Sequence, residues 1–180
     1  MKLHLSNVRL AFPKLFEPET FNGEGKPDYS AAFILDPKHP DMAKVKAAIE
    51  QVAAEKWTAK AKPILAAILA KDDSCLHNGD LKAQYEGFEG NHYLSSRCYT
   101  RPLVINADKT PLAAQDGRPY AGCYVNASIE IWAQDNGFGK RVNATLKGVQ
   151  FLRDGDAFAG GAPASEDEFD DVSNTGEDLV

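Results

Sequence analysis

Apolar and polar residues alternate along most of this chain, and in two places the period lengthens from two to about 3.6. Residues 2–12, rich in Leu and Val, predict a strand that Pro13 ends. Residues 17–28 hold two Pro and two Gly and read as a loop. Residues 29–35 predict a second strand, with Tyr29, Ala31, Phe33 and Leu35 on one face and Asp36-Pro37 after it. The spacing of Met42, Val45, Ile49, Val52 and Ala53 then predicts a helix over 41–57, with Pro40 and Asp41 suited to its first turn. Ile64, Leu65, Ile68 and Leu69 give the buried stripe of a shorter helix over 62–71.

A polar stretch covers 72–89. Beyond it, 92–101 alternates again, with Tyr93, Arg97, Tyr99 and Arg101 on one face and His92, Leu94, Ser96 and Cys98 on the other. A short strand at 103–106 and a long loop at 107–119 lead to the strongest signal in the sequence. Residues 123–134 and 140–152 form a hairpin pattern around Asp135-Asn136-Gly137-Phe138. With Asn136-Gly137 as the two-residue turn, Asp135 faces Phe138. One face then pairs Val125 with Gly148, Ala127 with Leu146, Ile129 with Ala144 and Ile131 with Val142, all apolar or Gly. The other pairs Tyr124 with Val149, Asn126 with Lys147, Ser128 with Thr145, Glu130 with Asn143 and Trp132 with Arg141. A one-residue slip would mix the two sets.

That second face suits a single-stranded nucleic acid. Aromatic faces stack on bases whatever their sequence, and cations follow the phosphates. Tyr124, Trp132, Arg141 and Lys147 lie on it, Phe138 and Lys140 extend it at the hairpin tip, and 92–101 repeats the mixture. Ordinary cross-strand packing of aromatics with Arg is the competing reading for each residue alone.

The charge is unevenly spread. The 180 residues carry a net charge of −6, yet residues 154–180 hold nine acids and no Lys or Arg, which leaves a body of +3 over 1–153. Gly155, Gly160, Gly161, Ala162, Pro163, Ala164 and Ser165 make a small-residue linker into a segment without a buried period. The tail reads either as a solubilising end or as a docking segment. Phe169, inside Glu166-Asp167-Glu168-Phe169-Asp170-Asp171, and the pair Leu179-Val180 are its candidate apolar anchors.

No apolar run reaches the ~18 residues of a spanning helix, and 1–4 lack a signal core, so membrane insertion and secretion are not expected. Cys75, Cys98 and Cys123 are an odd set without CxxC spacing, as suits a reducing compartment. With His77 and His92 they match no zinc spacing, and neither a phosphate-binding Gly loop nor a nucleophile elbow is present. No catalytic residue, metal or cofactor is expected. A non-catalytic assembly adaptor with an acidic docking tail is the alternative to nucleic-acid binding.

Three segments carry a resemblance: Asn7-Val8-Arg9-Leu10-Ala11-Phe12-Pro13-Lys14-Leu15-Phe16-Glu17-Pro18, Gly122-Cys123-Tyr124-Val125-Asn126 and Leu146-Lys147-Gly148-Val149-Gln150-Phe151. Over residues 2–153 the chain resembles phage-encoded single-stranded DNA-binding proteins. The resemblance implies a mainly β fold over 1–153, an OB-fold-like five-stranded barrel with a helical insertion at about 40–71, and a flexible acidic tail over 154–180. It implies sequence-independent binding of single-stranded DNA in replication, recombination and repair, within the cytoplasm of an infected bacterium. The expected contacts are Tyr93, Arg97, Tyr99, Arg101, Tyr124, Trp132, Phe138, Lys140, Arg141 and Lys147. The tail, through Glu166, Asp167, Glu168, Phe169, Asp170, Asp171, Leu179 and Val180, is expected to regulate binding and to recruit phage or host replication proteins such as a polymerase or a helicase–primase.

Overall fold

The computed structural model describes residues 1–158 and 168–173. Its strands are β1 (Lys2–Phe21), β2 (Glu24–Leu35), β3 (Leu76–Asn78), β4 (His92–Cys98), β5 (Leu103–Ile105), β6 (Tyr124–Asn136) and β7 (Gly139–Arg153), and its helices are α1 (Asp41–Trp57) and α2 (Ala61–Ala70). β1 pairs antiparallel with β2 and β6, β2 with β4, and β6 with β7. A parallel pairing of Arg97 with Thr145 joins β4 to β7 and closes a five-stranded barrel. One half of that last seam is filled by residues 73–78. Leu76 pairs with Leu94 of β4, Ser74 bridges to Val142 of β7, and the Val142 amide donates to the Asp73 carbonyl at 3.2 Å.

The inward positions of these strands make the core. Leu5, Leu10, Phe33, Leu35, Leu94, Ile129, Ile131 and Leu146 are all at most 1% exposed. The α1 stripe expected from the sequence is buried against them, and α1 packs on β1 and β6. The helical insertion thus covers one side of the barrel. In α2, Ile68 is buried as expected but Leu69 is exposed, on the side of the helix turned away from its packing on α1 and β7.

Four expectations need correction. First, β1 does not end at Pro13. The register passes from Ala11↔Ala32 to Lys14↔Ser30, a bulge that puts Phe12 at φ 48° and removes the need for a ladder bond from Pro13. Second, 17–28 is not a loop but the end of a distorted hairpin arm. Its turn is Asn22-Gly23, both at positive φ (52° and 75°), with Phe21 paired to Glu24. Third, the β6–β7 turn lies one residue later than Asn136-Gly137. Asn136 pairs with Gly139, the Asn136 Oδ1 accepts from the Phe138 amide at 2.9 Å, and Gly139 takes the positive φ of 113°. Moving the turn by one residue shifts each partner by two, so the faces survive up to Lys147. A bulge beyond Ile129↔Leu146 then turns Val149 inward, to 2% exposed. Fourth, the strand over 92–101 stops at Cys98, whose Sγ donates to the Thr100 carbonyl at 3.1 Å as the chain bends.

Candidate nucleic-acid interface

Between the arm, the bend after β4 and the outer face of the β6–β7 hairpin lies an open cleft of about 1180 Å³. Six of the ten expected contact residues converge on it: Arg97, Tyr99, Arg101, Trp132, Arg141 and Lys147. Trp132, Arg141 and Lys147 reach it because alternation sends their side chains away from the core. The Trp132 indole is held by its N–H, which donates to Thr145 Oγ1 at 3.0 Å, and the residue stays 41% exposed. Arg141 is fixed from behind, its Nη1 2.9 Å from Asp73 Oδ1. Tyr99 is 55% exposed, on the bend rather than on a strand.

The other four residues lie elsewhere. Tyr93 does point outward from β4, but it is 6% exposed. Phe88 packs edge-on against it at 5.1 Å and His77 stacks on it at 4.7 Å, leaving no face for a base. Tyr124 is eight residues from Trp132 along β6, about 26 Å at 3.3 Å per residue. The guanidinium groups of Arg153 and Arg9 lie 3.8 Å and 5.8 Å from its ring centroid. Phe138 and Lys140 are at the hairpin tip, beside a shallow depression over α2 that meets the cleft at Arg141. Phe138 is 94% exposed, as a tip residue without a packing partner should be.

The sequence reading missed Lys14 and Lys26, which the arm brings into the cleft. The signal was present, since Asn22-Gly23 is the preferred hairpin dipeptide. Cys75 and Cys98 also line the cleft. Burial pushes both thiols up, Cys75 to about 12, so neither is a thiolate at neutral pH. Of the tail residues, Glu168, Phe169, Asp170 and Asp171 are exposed, whereas Glu166, Asp167, Leu179 and Val180 lie outside the described residues.

A five-stranded barrel closed by a parallel pairing, with its cleft flanked by two hairpin loops, defines the oligonucleotide-binding (OB) class of fold. Within that class the chain belongs to one family. The family model described as Enterobacter phage Enc34, ssDNA-binding protein, matches residues 1–180. Protein p50 of Acyrthosiphon pisum secondary endosymbiont phage 1 is 51% identical over 176 residues, covering 96% of this chain and 95% of its own length. The single-stranded DNA-binding protein of bacteriophage Enc34, solved in complex with ssDNA, superposes with a TM-score of 0.74 at 28% identity, over 87% of this chain and 88% of its own. Bacteriophage T7 gp2.5, also a single-stranded DNA-binding protein, shares the fold, with a TM-score of 0.58 at 13% identity over 94% of this chain and 97% of its own.

Proposed function

We propose that this protein binds single-stranded DNA without sequence preference, in the cleft between the β1–β2 arm and the β6–β7 hairpin. One observation carries the reading: six cations and two exposed rings, Tyr99 and Trp132, meet in a single open cleft. Bases stack on those rings, and Arg97, Arg101, Arg141 and Lys147 hold the backbone, with Lys14 and Lys26 on the facing arm. Phe138 and Lys140 extend the track past the hairpin tip. A relative of 28% identity solved with ssDNA supports the same ligand. Stacking and charge suit a protein that protects unpaired strands during phage replication, recombination and repair inside the infected bacterium.

The acidic tail completes the proposal. It competes with phosphates for the cleft when DNA is absent, and when released it recruits basic replication proteins through Phe169 and its flanking acids. A fluorescence titration of poly-dT against a duplex of equal length, at several salt concentrations, tests the binding. Preference for poly-dT is expected, with each phosphate contact adding about −0.7 to the log–log salt slope. Unchanged poly-dT affinity in a folded variant with Trp132, Phe138 and Arg141 all replaced by alanine overturns the reading.

A further inference from the structure

The positive charge of the cleft is already partly offset from within. Four of its six cations sit beside carboxylates: Lys14 by Glu19 at 3.3 Å, Arg97 by Asp28 at 3.9 Å, Arg141 by Asp73 at 2.9 Å and Lys147 by Glu130 at 3.5 Å. The remaining two lie over rings, with the Lys26 ammonium 4.4 Å from the Tyr99 centroid and the Arg101 guanidinium 5.9 Å from that of Phe16. The three carboxylates that line the cleft itself, Glu19, Glu24 and Asp28, all come from the arm. A surface made only to attract phosphates has no use for them. They leave the lining residues with three net positive charges instead of six.

We propose that Glu19, Glu24 and Asp28 set the affinity and the strand selectivity of the cleft. The inference rests on the reading of the cleft as the single-strand site. Exposed ion pairs are weak and exchange easily, so a phosphate takes Arg97 from Asp28 without a large barrier. The displaced carboxylate is tethered to the arm, however, and stays beside the bound strand. Its repulsion grows with the charge density of the ligand. Duplex DNA carries one charge per ~1.7 Å of axis and is stiff. A single strand bends its backbone around the acids and still stacks its bases. The arm therefore weakens both ligands, and the duplex more.

The test uses the full chain carrying Glu19→Gln, Glu24→Gln and Asp28→Asn together, with a melting curve matched to the parent. Poly-dT affinity is expected to rise by about two- to fivefold, the scale of exposed ion pairs. Duplex affinity rises by a larger factor, so the single-to-double-strand preference falls. The salt slope for poly-dT steepens by up to about 0.7 for each carboxylate that no longer recaptures a cation. Unchanged or weaker poly-dT binding, or an unchanged strand preference, overturns the proposal. Asp28→Asn alone separates competition from positioning: if Asp28 orients Arg97 for a phosphate, this variant binds more weakly and the proposal fails. A parent chain that binds no oligo-dT removes the reading of the cleft itself, a result distinct from either variant.

Discussion

The indole N–H of Trp57, the last residue of α1, donates to Asp135 Oδ2 at 2.9 Å. This bond crosses from the helical insertion to the end of β6, one residue before the pairing that begins the β6–β7 turn. Trp57 is 7% exposed, and Asp135 also lies 3.5 Å from Lys140. The helices at 41–70 therefore anchor the hairpin tip that carries Phe138 and Lys140, besides covering the barrel.

Trp57→Phe tests that anchor. It keeps an aromatic ring in the core and removes only the donor. Losing a hydrogen bond to a charged acceptor is expected to lower the urea unfolding midpoint. Faster amide exchange confined to 135–140 is the expected local signature, because the tip loses its only tie to α1 among the described side-chain hydrogen bonds. Uniform change across the barrel would mean that the ring's packing, not the bond, holds the tip.

Acid stability depends on a second helix end. Asp41 is 4% exposed at the start of α1. Burial pushes its carboxyl up, but the Ser6 amide at 2.8 Å, the Lys44 ammonium and His39 outweigh it and leave it below the ordinary value of 3.8. A carboxyl lowered by folding stabilises the native state above its unfolded value, and that stabilisation disappears as pH falls through the folded one. Replacing Asp41 with Asn is expected to flatten the acid limb of a stability profile taken downward from about pH 5. An acid limb with the parent's slope would show that Asp41 contributes nothing to it.

Much of this was legible in the sequence, and the failures have physical causes. The α1 stripe and the inward face of the hairpin were readable because burial enforces a strict period. The hairpin register was misread because Asn136 uses its side chain to cap the turn and leaves the positive φ to Gly139. The same dipeptide at 22–23 does form the turn, in a segment whose prolines and glycines hide its pairing. Tyr93 was misplaced because alternation gives the direction of a side chain but not what covers it. Phe88, its cover, comes from a stretch without any period.

Side chains in and out of the cleft should separate cleanly in binding. Trp132→Ala is expected to cost about 1–3 kcal/mol of poly-dT affinity, one base stack. Lys147→Ala should weaken binding at every sequence and flatten the salt slope by about 0.7. Tyr93→Phe, behind Phe88, should leave both affinity and slope at the parent's values. Equal losses from Tyr93→Phe and Trp132→Ala would place the bases on the wrong side of β4.

The origin of the acidic tail has a consequence for any truncation. Residues 154–158 are bound to the barrel, not free. Arg9 donates to the Asp156 carbonyl at 2.7 Å and stacks over Phe158 at 4.4 Å, the Phe158 amide donates to the Ala121 carbonyl at 3.0 Å, and Tyr120 donates to Asp154 at 2.6 Å. Phe158 packs on the cluster of Ala11, Ile34, Phe88 and Tyr93. The strap passes so close to Gly122 that a Cβ there would clash with the Asp156 carbonyl oxygen. Deleting 154–180 removes this strap together with the acids, so any change in DNA affinity would mix two causes. Deleting 159–180 keeps the strap and still removes seven of the nine tail acids. The shorter deletion is expected to keep the parent's melting temperature and to bind poly-dT more tightly, most of all at low salt, where exposed charges are least screened. The longer one is expected to lose about 1–3 kcal/mol of stability, the scale of one uncovered Phe. Weaker poly-dT binding by the 159–180 deletion would reject competition by the tail, and equal stability of the two deletions would reject the strap.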